Sequence, residues 1–138
     1  MLGRKDYTRE ELDGARAAME AQLAAYRGLS GVSPGDEFEW RLFNNMVLVL
    51  DRYFVHRIRP VAGKDGNPLN EVELICESLL GNQGVFRGNK VLKYVPEESV
   101  LKLGVGDEIR LSADDFERLA AGFLAELERR FVAPAQAG

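Results

Sequence analysis

Cysteine occurs once in this chain, as Cys76, and histidine once, as His56. A single thiol excludes an intrachain disulfide and a metal site built on clustered cysteines. It fits a reducing compartment, so the expected location is the cytoplasm. A single imidazole excludes the paired-histidine patterns that hold catalytic zinc. Long apolar runs are also missing. The longest, Met46-Val47-Leu48-Val49-Leu50, falls well short of the about 20 residues that cross a bilayer. Behind the basic residues near Met1 there is no apolar stretch, so no signal peptide is expected. Positive charge is not in excess: 18 Lys and Arg face 22 Asp and Glu, for a formal charge of −4. Such a surface repels phosphate on average, so neither nucleic acid nor a membrane is an expected partner.

What is present describes a folded domain. The chain has 138 residues, 46% hydrophobic and 29% charged, enough to bury roughly two-thirds of its unfolded surface. One helical domain over residues 1–132 is expected, followed by a disordered tail of small or uncharged residues at 133–138.

The apolar residues recur at helical spacing, and four principal helices follow. Thr8 and Glu11 have the spacing of a capping box; Leu12, Ala15, Met19, Leu23 and Tyr26 then form a stripe, giving a helix over about 9–27. Ser33-Pro34-Gly35-Asp36 reads as a second start. This helix is expected to run to about Arg59, where Pro60 stops it. It carries Phe43, Met46, Val47, Leu50, Tyr53, Phe54 and Ile58 on one face, with Leu48 and Val55 off it, so it is expected to be surrounded at the centre of the bundle. Residues 61–68 form a loop. A third helix over about 68–80, with Val72, Ile75, Leu79 and Leu80 as its apolar stripe, starts from Asn67 with Pro68 behind it, or from Asn70 with Glu73 three on. Ser112-Ala113-Asp114-Asp115 opens the last helix, striped by Phe116, Leu119, Ala120, Phe123, Leu127 and Phe131. Between these two helices the chain is irregular. Residues 91–95 and 108–111 are candidates for a two-stranded ribbon, and Pro96 for the first turn of a short helix. The fold expected is mainly α: a bundle of about four principal helices with a short irregular or two-stranded insert before the last.

The segment from Asp51 to Glu71 concentrates the chemistry. At about 100° per residue, Arg41, Asn45, Arg52, His56 and Arg59 share one sector of the second helix, while Arg57 falls among Leu50, Tyr53 and Phe54. An arginine on a core-facing stripe needs a carboxylate, an anionic ligand or an escape to water. One reading makes Arg57 and Arg59 a clamp for a small anionic ligand, helped by Tyr53, His56, Asn67, Asn70 and Glu71 around the 63–70 loop. The other pairs Arg57 with an internal acid such as Glu71, or sends it past the helix end. His56 is the one weak candidate for a general base, and its neighbours Arg52 and Arg59 favour the neutral ring. It could also serve a haem axially, but one histidine and two arginines are not specific, and no cofactor is expected. Gly63-Lys64-Asp65-Gly66-Asn67-Pro68 lacks the spacing of a P-loop or a calcium loop. Cys76 sits inside a helix and reads as an inert buried thiol. Adjacent acids such as Asp114 and Asp115 fall at helix starts, where the dipole accounts for them.

No catalytic constellation emerges. The leading expectation is a non-catalytic protein acting through self-association, as a homodimer, or through a protein partner. The stripes of the first and last helices either offer surface for that contact or are consumed inside the fold, and both readings stand. A ligand-binding domain and an enzyme using His56 are the alternatives.

Overall fold

The computed structural model describes residues 3–134. Five α-helices make up its frame: α1 (Arg9–Arg27), α2 (Glu37–Tyr53), α3 (Arg59–Ala62), α4 (Pro68–Gly81) and α5 (Ala113–Phe131), with one 3-10 turn at Pro96–Glu98. A mainly helical bundle with four long helices and an irregular insert is what the periodicity predicts. The bulk of the expected tail, residues 135–138, lies outside the described residues.

Side-chain caps fix where most helices start. Thr8 and Glu11 form the capping box of α1, and Ser112 and Asp115 that of α5. Asn67 caps α4, its Oδ1 accepting from the N–H groups of Leu69 and Asn70 at 2.9 and 3.3 Å. Such caps satisfy helix N–H groups that have no carbonyl one turn back.

The second helix is shorter than its apolar stripe suggests. It starts behind Asp36, whose carboxylate caps Glu39 N–H, and not at Ser33. It ends at Tyr53, well before Pro60. The reason lies at its C-terminus. Arg57 donates to the carbonyl of Phe54 at 2.9 Å, and the chain at 56–58 pairs with Arg4 through two backbone bonds of 2.7 and 2.9 Å. These contacts replace the next helical turn. Pro60 then sits in the first turn of α3, a position where its missing N–H costs nothing.

The insert between α4 and α5 contains no ribbon between 91–95 and 108–111. Its ladder contacts among the described residues are isolated bridges, Asp65 to Lys93 and Val85 to Glu108. Buried polar side chains of the helices hold it instead. Asn44 of α2 donates to the Ile109 carbonyl at 2.7 Å and accepts from Leu111 N–H at 3.1 Å. Glu71 of α4 accepts from the N–H groups of Val100 and Leu101 at 2.8 and 2.9 Å. Ser78 accepts from Arg87 N–H at 3.0 Å. The expected short helix from Pro96 closes after one 3-10 turn, because the Ser99 hydroxyl bonds back to the Pro96 carbonyl and also takes Lys102 N–H.

The core is aromatic at both ends. Tyr7 meets Phe54 and Phe131 at centroid distances of 4.9 and 5.6 Å, and Phe54 meets Phe123 at 6.0 Å. At the other end Phe43 lies between Tyr26 and Phe116. The central helix is α5, which packs against α1, α2, α3 and α4. The α2 helix was the expected centre, but it leaves one side open: Val49 and Tyr53, and Val55 beyond its end, are exposed. Of the two readings of the α1 and α5 stripes, contact with another subunit or burial within the fold, the second holds; Leu12, Ala15, Phe116, Leu119, Phe123 and Leu127 are fully covered.

Candidate functional site

The polar junction between α2 and α4 gathers most of the residues that the sequence singles out. The Arg57 side chain is 5% exposed and lies 2.8 Å from Asp51. Its second amino group also reaches the Leu69 carbonyl at 3.3 Å, and its guanidinium stands over the Phe123 ring at 5.3 Å. A buried cation costs several kcal/mol unless it is paired and hydrogen-bonded, and these contacts supply the pairing. Arg59 donates to Asn70 Oδ1 at 3.1 Å and meets Glu73 at 2.7 Å. Asn70 spends its amide on the carbonyls of Gly63 and Asp65, and Asn67 spends its own on Ala62 and Asp65.

Glu71 does not meet Arg57. It is fully buried and turned to the backbone of Val100 and Leu101. Burial raises its carboxyl above the ordinary value of 4.5, and the two N–H bonds oppose that rise. His56 is exposed, and its ring has no hydrogen bond among the described residues. Tyr53 is 46% exposed and points away from this junction, lining the outer groove of α2. The arrangement joins Arg57, Arg59, Asn67 and Asn70 into one network that closes on itself. An anion arriving there would have to displace Asp51 and Glu73.

Cys76 is buried beside the Val47 carbonyl, 3.8 Å from its sulfur. Burial pushes its thiol well above the usual range, so the nucleophilic thiolate is scarce at neutral pH.

The surface that remains unsatisfied is the outer side of α2 and α4. Leu48, Val49, Arg52 and Tyr53 line an open, mostly apolar groove of about 550 Å3. It shares Leu48 with a second cleft of about 400 Å3, where Trp40, Arg41, Leu79 and Leu80 stand. Leu80 is 75% exposed, the most open large apolar side chain among the described residues. The far end of this face is neutralised locally. Trp40 is flanked by Arg41 and Arg110, each 4.9 Å from its ring, and they pair with Glu37 and Glu108. Arg52 has no ion pair among the described residues, and neither does Glu77, which shares its side of α4 with Leu80.

Sequence reasoning misses Asp51 as the partner of Arg57, because six residues apart on a continuous helix are not neighbours; they meet only because the helix ends at Tyr53. It also misses Asn44 and Glu39, whose buried carboxylate accepts from Ala113 N–H at the start of α5 at 2.9 Å. Asn44 carries a readable signal, a polar residue on a row with Val47. No protein-family model matches this chain, and neither a curated protein nor a solved structure matches it.

Proposed function

We propose that this protein is a non-catalytic association module that pairs with a second copy of itself through the outer face of α2 and α4. The observation that carries this reading is the apolar groove of Leu48, Val49 and Tyr53, which shares Leu48 with a more polar cleft that carries the exposed Leu80. Surfaces of this kind, rimmed by polar residues, mark contact sites. A second copy is favoured over an unrelated partner by charge. The groove carries one cation without an ion pair, Arg52, and α4 carries one acid without an ion pair among the described residues, Glu77, one turn from Leu80. In a two-fold arrangement every patch meets itself, so each Arg52 can meet the other copy's Glu77. The polar junction at Arg57 then serves the fold, by fixing the turn that ends α2 and so the edge of this face.

Sedimentation velocity at micromolar concentration tests the reading. The wild-type protein should sediment as a dimer. Val49→Glu with Leu80→Glu should give a monomer with unchanged helical circular dichroism, since both positions are exposed. Arg52→Glu should weaken the dimer, and adding Glu77→Arg should restore it. A wild-type protein that stays monomeric sinks the proposal.

A further inference from the structure

Most arginines of this chain are matched with acids within the molecule, from Arg4 with Glu11 to Arg130 with Glu126. The cations without an ion pair are distributed unevenly. Apart from Lys5 and Arg52, those among the described residues all lie at Lys64 or in the insert at Arg87, Lys90, Lys93 and Lys102. Two of these have local uses: Lys102 donates to the Glu97 carbonyl, and the Arg87 guanidinium lies against Gly81 at the C-terminal end of α4, the negative end of the helix. Lys64, Lys90 and Lys93 have neither use. They are exposed, in a protein whose net charge is −4.

These three lysines stand on an ordered frame. Lys93 N–H donates to the Lys64 carbonyl at 2.7 Å, which sets the two residues side by side. The approach is so close that a Cβ on Gly66 would lie 3.0 Å from the Lys93 carbonyl oxygen. Asn89 Oδ1 holds the turn by accepting from Val91 and Leu92 N–H groups at 2.9 and 2.8 Å. Leu92 is buried, and the Tyr94 hydroxyl is tied to the Leu103 carbonyl at 2.6 Å. With these residues turned inward, Val91 and Val95 are left outside at 50% and 41% exposure, flanking Lys93.

We infer that Lys64, Lys90 and Lys93, with Val91 and Val95 between and beside them, form a docking face for an acidic protein segment whose carboxylates alternate with apolar side chains. Charge complementarity selects the acids: an anionic segment meets three cations that have no internal partner. The two valines select apolar side chains beside those acids. A nucleic acid fits this surface poorly, because single strands are held by stacking on exposed aromatic rings, and the aromatic residue here, Tyr94, is turned inward with its hydroxyl occupied. The face shares no residue with the grooves of the α2–α4 surface, although the Asn89 amide donates to Glu77 at 3.2 Å at its edge.

Fluorescence anisotropy with a labelled peptide of alternating glutamate and leucine tests the inference. The same protein is titrated with an all-glutamate peptide and with a single-stranded oligothymidylate. The alternating peptide should bind most tightly and weaken as salt is raised. Lys90→Glu with Lys93→Glu should reduce its affinity about tenfold or more, whereas Lys5→Glu should leave it nearly unchanged. Val91→Ser with Val95→Ser should erase the preference for the alternating peptide over the all-glutamate one. All substituted positions are exposed, and circular dichroism checks that each variant folds. Absent binding of the alternating peptide, equal binding of the oligonucleotide, or undiminished binding by the Lys90→Glu, Lys93→Glu protein would each overturn the assignment. Because the readout is peptide binding, it is independent of whether the chain dimerises.

Discussion

The guanidinium of Arg57 and the carboxylate of Asp51 stand 2.8 Å apart at the point where α2 ends and the chain turns back. Asp51 is on the last helical turn and Arg57 is beyond it. The pair therefore exists only in the turned conformation, and it links the end of α2 to the Leu69 carbonyl in the first turn of α4.

Removing Asp51 leaves a cation that is 5% exposed without its counter-charge. Breaking a buried pair from one side costs about 3–5 kcal/mol, and the low end applies here because two carbonyls still hold the guanidinium. Asp51→Ala should therefore lower unfolding stability by about 3 kcal/mol in urea titrations. Asp51→Leu with Arg57→Met removes both charges and should recover part of that loss. A single substitution costing under about 0.5 kcal/mol, the size of an exposed pair, would show that the pair does not hold the turn.

Tyr7 gives a prediction of the opposite sign. It is 4% exposed, wedged against Phe54 and Phe131, and its hydroxyl is buried without a hydrogen-bond partner, as is Nε of Arg57. An unpaired buried hydroxyl costs about 1–3 kcal/mol. Tyr7→Phe keeps the ring contacts and removes that cost, so it should raise the thermal midpoint. A lower midpoint in the phenylalanine variant would mean that the hydroxyl has a partner, such as a bridging water, in solution.

The split between what could be read beforehand and what could not follows from the range of the interactions. Thr8 with Glu11, Asn67 with Pro68, and Ser112 with Asp115 are caps made within one turn, so spacing alone exposes them. The stripes of α1 and α5 are legible for the same reason. The end of α2 is not legible, because it is decided by Arg4, which pairs with 56–58 from a segment that precedes α1. The insert is equally opaque: its geometry rests on Asn44 and Glu71, whose partners lie far away in sequence. Of the candidate site residues, Arg57 could be read as core-facing. Its true partner could not, and nor could the exposure of Val49 and Leu80, since periodicity shows which residues share a face but not which faces are covered.

Glu71 makes the long-range hold on the insert testable. It supplies the acceptors for Val100 and Leu101 N–H groups from a fully buried carboxylate. Glu71→Ala strands both donors and leaves a void, with an expected cost of about 3 kcal/mol. Hydrogen exchange should report where the damage falls. The amides of Val100 and Leu101 should exchange faster, by far more than those in the middle of α1. Uniform acceleration across the chain would show that Glu71 acts on global stability and not on this loop.

Acid sensitivity separates two carboxylates whose shifts have opposite signs. Arg4 donates to both oxygens of Glu11 at 2.7 and 2.8 Å and, with Thr8, holds that carboxyl down at about 2. Its folded value lies below its ordinary one of 4.5, so its contribution is complete above pH 4.5 and disappears as pH falls toward 2. Both side chains are over a third exposed, so the contribution is discounted to about 1 kcal/mol or less. Glu71 is raised by burial. The folded state then binds its proton more readily than the unfolded state, so it adds stability as pH falls through its folded value. Glu11→Gln isolates the first effect. Urea titrations from pH 7 to pH 2 should show a gap between wild type and variant that is constant above pH 4.5 and closes toward pH 2. A neutral glutamic acid and a glutamine differ little in shape, so packing gives no gap between them; a gap that persists undiminished at pH 2 would show that the Glu11 charge is not its source.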